Sequence, residues 1–328
     1  MRKLITIFII LSVSENLRSD VSDIYEKLRN TTVRVNVWKN YDLADMEEVV
    51  WRGSGIVLNK VNDTYFILTN AHVILENYCD IYSSEYEDCK DIFFDDSLTM
   101  IVDTIDSKNE YIIDYEDIIY WEDRDLAVIA LDESLYEEKI NFQTIEVTGE
   151  IIEPLQSVYV SGFPLVTGNF ANHGGLFVDV CVINSYVIDV DEASDLYGYE
   201  IYHNCSVAGG MSGGPLVNDK GKLIGVNGLV GTPTIEEGWF SHSHQNYDDL
   251  NFAYAIDIWR LYDVVIFGMP DNFNSDHKFY NFLPNLEYVG NEDLYYWLKD
   301  TANDLNVNKN VMSRRIDFLF KNNPNRYK

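Results

Sequence analysis

The chain has 328 residues, of which 46% are hydrophobic and 24% are charged, so it can bury one large or two modest cores and is not of the disordered class. Its formal net charge of −30 argues against nucleic-acid binding, because a duplex partner requires a basic face that replaces its counterions. The composition therefore indicates a folded protein, and no nucleic-acid partner is expected.

The N-terminus has the residue order of an export signal. Arg2 and Lys3 precede an apolar run over residues 4–13, which is shorter than the roughly 20 residues that a spanning helix needs. This pattern predicts a signal peptide over residues 1–14, export to the periplasm or outside the cell, and no stable membrane span. An uncleaved interfacial anchor and a buried first strand are the alternatives.

Two series of short runs rich in β-branched and aromatic residues follow. The first series lies at residues 33–38, 49–58, 65–69, 98–104, 111–115 and 126–131. The second lies at residues 158–162, 176–185, 200–205, 215–218, 222–227 and 252–256. Because no long amphipathic helix interrupts either series, two antiparallel β units fit better than a parallel α/β sheet. Beyond Ile256, helices are predicted over residues 257–267 and 291–303.

The four cysteines do not have the spacing of zinc ligands. If the polar stretch around Ala193 closes a hairpin, Cys181 and Cys205 fall opposite each other, as a cross-strand disulfide requires. Two unrelated buried thiols are the alternative. Cys79 and Cys89 bracket an acidic loop, and the even number of cysteines agrees with an oxidising destination.

Three polar residues have the surroundings that hydroxyl activation needs. Ser212 lies among the four glycines of residues 209–214, which let a backbone approach a substrate and leave N–H groups that can face a developing negative charge. His72 follows the apolar run at residues 65–69, and Asp125 directly precedes an apolar strand. A nucleophile, a base and an acid that orients the base are the required parts.

The segments around His72, Asp125 and Ser212 resemble those of the trypsin-like serine endopeptidases, which carry their triad in this order. The resemblance spans about residues 33–256. Weaker matches at residues 51–56, 162–164 and 251–256 look more like the bacterial HtrA-like envelope peptidases. No PDZ module is recognisable after Ile256, and the glutamyl endopeptidases are a neighbouring branch that stays open.

This resemblance implies an all-β chymotrypsin fold with two six-stranded antiparallel barrels. The barrels are expected over residues 30–145 and 146–258, followed by a partly helical extension over residues 259–328. The implied activity is a serine endopeptidase that cleaves a protein or peptide substrate without a cofactor or a metal. Polar clusters at residues 189–195 and 242–249 are interpreted as solvated loops rather than as metal sites.

The resemblance also assigns the site residues. Ser212 would attack the scissile carbonyl, His72 would carry the proton, and Asp125 would hold the imidazole. The oxyanion hole would consist of the backbone N–H groups of Gly210 and Ser212. The residues that would line the primary pocket are Ser206, Asn227, Gly228 and Phe252. Because no acid marks the base of this pocket, small to medium apolar side chains are expected before the scissile bond.

Met211 departs from the pattern of the animal enzymes. Those enzymes carry Asp immediately before the nucleophile, and it pairs with a new N-terminal amine after propeptide cleavage. A thioether cannot neutralise an ammonium group, so this activation switch is expected to be absent. A noncatalytic binding module on the same scaffold is the rival function. An esterase of the α/β-hydrolase type fits poorly, because the strand-helix alternation is missing.

Overall fold

The structure, a computed structural model, describes residues 21–39, 48–75, 98–104, 110–148, 152–164, 175–186, 198–231 and 252–267. The strands in these ranges are β1 (Thr32–Lys39), β2 (Glu48–Val61), β3 (Thr64–Thr69), β4 (Leu98–Asp103), β5 (Tyr111–Ile113), β6 (Ile118–Trp121), β7 (Leu126–Asp132), β8 (Ser157–Gly162), β9 (Phe177–Tyr186), β10 (Ile201–His203), β11 (Pro215–Asn218), β12 (Leu223–Gly231) and β13 (Phe252–Asp257). The helices are α1 (residues 21–31), α2 (Ala71–Leu75) and α3 (Ile258–Phe267).

The strands form two antiparallel sheets, one in each lobe. The first sheet has the order β5-β4-β1-β2-β3-β7-β6, and the second closes into a six-stranded barrel with the order β10-β13-β12-β11-β8-β9. The predicted fold class, all-β with two lobes of the chymotrypsin type, is confirmed. In the first lobe the sheet has seven strands rather than six, and the sheet of the described residues does not pair its end strands β5 and β6 with each other.

The additional strand, β6, was not predicted from the sequence. Its four residues lie between Asp117 and Glu122, and a run this short shows no clear periodicity. Its pairing with β7, in which Ile118 lies opposite Ile129, makes it a strand. The residues of β6 individually favour strands, and the pairing with β7 defines the element.

Strand β7 is apolar at consecutive positions because both of its faces are buried. Leu126 and Val128 belong to a core that also contains Val226 and Tyr254 of the second lobe. Ala127, Ile129 and Leu131 belong to a second core inside the first lobe. Alternate residues of β7 thus belong to the core between the lobes and to the core within the first lobe. This packing fixes the strand that begins directly after Asp125.

Helix α1 was not predicted from the sequence. It buries Ile24 and Leu28, four residues apart, in the core between the lobes, while Val21 and Tyr25 are exposed. This is the spacing of an amphipathic helix. The helix is therefore a packed part of the fold.

The helix predicted over residues 257–267 is confirmed as α3. The second predicted helix, over residues 291–303, and the predicted signal peptide lie outside the described residues, as do Cys79 and Cys89. No helix in the described part of the chain has the length and apolar character needed to cross a membrane.

Buried acids connect α3 to the second lobe. Asp257 accepts hydrogen bonds from the N–H of Trp259 at 3.0 Å and from the phenol of Tyr186 at 2.6 Å. Glu200 accepts from Arg260 Nε at 2.5 Å and from the N–H of Asp257 at 3.3 Å. Burial raises the pKa of Asp257 to about 6, and it also raises the pKa of Glu200.

The wild type is expected to lose stability relative to Asp257→Asn as the pH rises from about 4 to about 7. The folded-state pKa of Asp257, about 6, lies above the ordinary value of 3.8, so the folded state favours the protonated acid. The corresponding stability is complete below pH 3.8 and is lost as the pH rises through 6. The relative loss in the free energy of unfolding should be about 3 kcal/mol in urea titrations. Asp219→Asn, at an exposed turn, is the control, and a difference independent of pH would contradict this account.

Candidate active site

The structure brings His72 and Asp125 together as a hydrogen-bonded pair. Asp125 Oδ1 accepts the backbone N–H of His72 at 2.8 Å, and Asp125 Oδ2 lies 2.8 Å from His72 Nδ1. Helix α2, which carries His72, is fixed by its buried neighbours Ala71 and Val73. The two side chains are 13% and 18% exposed, so water screens their interaction only partly.

The backbone at Asp125 has an uncommon conformation that aims the carboxylate at His72. Its φ of 48° and ψ of 42° are left-handed, and it caps the 3-10 turn Glu122–Arg124 with a hydrogen bond from its N–H to Glu122. Asp is one of the few non-glycine residues that adopt this region readily. Buried Asn70 donates to the Asp125 carbonyl at 3.0 Å, which connects the end of β3 to this turn.

This geometry fixes the hydrogen positions on the imidazole. An ionised carboxylate has only acceptors, so the Nδ1 that faces Asp125 carries the proton. In the neutral ring, Nε2 is then the nitrogen that carries no hydrogen and can accept a proton. His72 is therefore oriented as a general base.

Ser212 lies in a loop in which some backbone N–H groups donate hydrogen bonds and others do not. The N–H groups of Met211, Gly213 and Gly214 donate to backbone carbonyls at 3.0, 2.7 and 3.0 Å. Within the described part of the chain, the N–H groups of Gly210 and Ser212 have no acceptor. These are the two donors that the resemblance assigns to the oxyanion hole, and Gly210 has a φ of 87°.

Ser54 of β2 fastens this loop to the first lobe, and sequence reasoning gave it no function of its own. Its N–H donates to the Ser212 carbonyl at 2.7 Å, and its hydroxyl donates to the Gly210 carbonyl at 2.8 Å. The same hydroxyl accepts the N–H of Phe163 at 2.9 Å. Ser54 is completely buried, so these bonds are shielded from water. The only sequence indication was its place within the weaker match at residues 51–56.

A chain of contacts connects Ser212 to the His72–Asp125 pair. The Ser212 hydroxyl donates to the Gly228 carbonyl at 3.0 Å. Gly228 lies against the Tyr199 ring, and the Tyr199 phenol donates to Asp125 Oδ2. A transfer of the Ser212 proton to His72 would require the hydroxyl to leave the Gly228 carbonyl. Hydrogen bonds between a nucleophile and its general base often form only when substrate is bound.

The residues predicted to line the pocket have different environments. Ser206 is exposed, and its N–H donates to Asp179 Oδ2 at 2.8 Å, so strand β9 brings a carboxylate to a position where the sequence showed no acid. Asn227 is buried and donates to the carbonyls of Gly214 and Pro215 at 3.3 and 3.2 Å. Gly228 is buried beside Tyr199, and Phe252 begins β13. The pocket assignment and its expected apolar preference stay predictions.

The predicted disulfide between Cys181 and Cys205 is present. The two cysteines and His203 bring possible metal ligands within 4.8 Å of one another, but the sulfurs are bonded to each other and are not thiolates. His203 is completely buried, and burial lowers its pKa to about 4. Its Nδ1 accepts the N–H of Cys205 at 3.3 Å, so Nε2 carries the proton and donates to Asn227 at 3.0 Å. The group is structural.

Removing the disulfide by Cys181→Ala with Cys205→Ala is expected to lower the free energy of unfolding by about 3 kcal/mol, for a sequence separation of 24 residues. The reason is that the unfolded chain regains the freedom that the closed loop had removed. Urea unfolding measures the loss, and the wild type with a reductant is the matched comparison. Free thiols at both positions in a peptide map without reduction would contradict the pairing.

Comparison with known proteins identifies the family of this chain. Residues 53–226, more than half of the chain, match the family described as the trypsin-like peptidase domain. The chain therefore belongs to this family. The matched range contains His72, Asp125 and Ser212. A search among curated proteins gives no match.

Proposed function

We propose that the protein is a serine endopeptidase in which Ser212 is the nucleophile, His72 the general base and Asp125 the residue that orients the base. The proposal rests mainly on one observation: the Asp125 carboxylate is hydrogen-bonded to both the backbone N–H and the Nδ1 of His72. Membership of the trypsin-like peptidase family supports a peptidase function. The two available N–H groups beside Ser212 support acyl transfer.

The proposed reaction has two stages. Ser212 Oγ attacks the carbonyl carbon of the scissile peptide while its proton moves to His72 Nε2, and the oxyanion accepts hydrogen bonds from the N–H groups of Gly210 and Ser212. The C–N bond then breaks, His72 gives its proton to the leaving amine, and an ester on Ser212 remains. Water attacks this ester by the same sequence, which releases the carboxylic acid and restores the serine hydroxyl.

A fluorophosphonate probe tests this proposal, because an activated serine displaces its fluoride and forms a stable phosphonate ester. We expect one label on the wild type, located on Ser212 by peptide mapping, and none on Ser212→Ala. Ser157→Ala, at an exposed position on β8, is the matched control and should be labelled like the wild type. A wild type that binds peptides but takes no label would instead favour the noncatalytic binding module.

Activity is expected not to depend on a particular N-terminal residue. Met211 is 1% exposed and packs in the core of the second lobe, so the position before the nucleophile has no carboxylate that awaits a new amine. Chains that begin at Glu15, Leu17 and Asp20 should have the same kcat/KM in a peptide assay. A chain that begins at Thr31 should be less stable, because it lacks the buried Ile24 and Leu28. Activity confined to one starting residue would contradict this reading.

We also propose that the protein acts on protein or peptide substrates outside the reducing cytosol. The disulfide in the second lobe supports this location, because such bonds persist in oxidising compartments. The apolar N-terminal run supports export. Fractionation of expressing cells tests the location, and a mature protein recovered only from the cytosol would contradict it.

A further inference from the structure

We propose that Tyr199 is a positioning residue of the triad, which holds the Asp125 carboxylate through its phenol in a space that Gly228 leaves open. The inference rests on the proposed function, since it assigns a task within the same site. Tyr199 is 74 residues from Asp125 in the sequence, and no motif marks it.

The phenol completes the set of donors on the Asp125 carboxylate. Oδ1 accepts the N–H of His72, while Oδ2 faces His72 Nδ1 and also accepts the hydroxyl of Tyr199. Three donors on two oxygens hold the carboxylate plane against rotation. The phenol and the imidazole both contact Asp125 Oδ2. The phenol therefore draws negative charge from the oxygen that would stabilise a protonated His72.

The Tyr199 ring is held in place by the core between the lobes. It is 4% exposed and belongs to the same buried cluster as Trp121 and Leu126, which lie on the strands on either side of the Asp125 turn. The cluster also contains Val226 of β12, two residues before Gly228. Packing from both lobes therefore sets the position of the phenol relative to Asp125.

Glycine is the only residue type that the Tyr199 ring permits at position 228. A Cβ there would lie 2.3 Å from the phenol oxygen, 2.5 Å from Cε1 and 2.7 Å from Cζ. These distances are well inside van der Waals contact, and the ring would have to leave. The Gly228 carbonyl also accepts the Ser212 hydroxyl at 3.0 Å. Tyr199 therefore contacts Asp125 at one end of the triad and, at the other end, the glycine that is bonded to Ser212.

Tyr199→Phe removes the hydroxyl and keeps the buried ring. We expect kcat/KM for a peptide substrate to fall about tenfold and the acid limb of its pH profile to move to higher pH, because the carboxylate then stabilises protonated imidazole more strongly. The other ionisable side chains on the Asp125 turn are Glu122, Asp123 and Arg124, and they are unchanged. Tyr186→Phe is the matched control, since it removes a phenol that donates to Asp257 instead of Asp125. A Tyr199→Phe profile equal to that of the wild type would overturn the proposal.

Gly228→Ala tests the pairing of the two positions. Its methyl should displace the ring and lower kcat/KM more than Tyr199→Phe does, but in the Tyr199→Ala background the methyl has room and should add little further loss. Additive losses in this double-mutant cycle would overturn the proposed pairing.

A measurement without turnover separates this inference from the proposed function. In the Ser212→Ala background, the proton NMR resonance of His72 Nδ1–H should shift in Tyr199→Phe and not in Tyr186→Phe. An unmoved resonance would overturn the assignment of Tyr199. Failure of the wild type to react with the fluorophosphonate would overturn the peptidase proposal alone.

Discussion

Replacing Ser212 with alanine is expected to lower kcat for peptide hydrolysis by about 10⁴-fold or more. The reason is that only the activated hydroxyl can form the acyl ester. His72→Ala should have a comparable effect, and the double variant should be no worse, because the two residues act as a unit. Steady-state kinetics on a peptide library measure the loss and give the cleavage preference in the same experiment.

The fold should survive this change. The Ser212 side chain makes one hydrogen bond to a backbone carbonyl, which contributes about 1 kcal/mol to stability. Urea unfolding should therefore show nearly equal midpoints for the wild type and Ser212→Ala. Full peptidase activity in a folded Ser212→Ala variant would end the serine mechanism.

The sequence predicts the parts of this molecule that local patterns encode. Strands β3 and β7 are apolar at nearly every position because they separate two cores, so both were predicted close to their observed bounds. Cys181 and Cys205 were paired by a hairpin argument, which depends only on their distance from a turn. His72, Asp125 and Ser212 were assigned together, by the resemblance of their three segments to one family, and their catalytic roles stay predictions.

The remaining features depend on contacts between distant segments, which a pattern in one segment does not record. Tyr199 reaches Asp125 across 74 residues, and the Ser54 hydroxyl reaches Gly210 across 156 residues. Asp179, which lies on β9, precedes Ser206 by 27 residues. Each is an ordinary polar residue in its own segment, and its environment exists only once segments that are distant in the sequence have packed together.

Gly162→Ala is expected to lower kcat by about 10²-fold with a smaller effect on KM, because it displaces the oxyanion loop. A Cβ at Gly162 would lie 2.9 Å from both Cα and Cβ of Met211 and 3.0 Å from its Cγ. Since Cα belongs to the backbone, a new side-chain rotamer of Met211 cannot relieve the contact. Met211 lies between the two available N–H donors, so any movement of its backbone changes where they point.

Kinetics and fluorophosphonate labelling rates of Gly162→Ala test this expectation against Gly175→Ala. Among the described residues other than its chain neighbours, no atom lies within 4 Å of the Cβ that alanine would add at Gly175, so this variant adds a methyl group without a close contact there. Both variants should unfold cooperatively, which separates a displaced loop from a lost fold. Met211→Ala should fail to restore Gly162→Ala, because the contact with the Met211 backbone persists. If Gly162→Ala keeps the wild-type kcat, the packing of Met211 on β8 does not shape the oxyanion loop. Another contact must then do what the Asp before the nucleophile does in the animal enzymes.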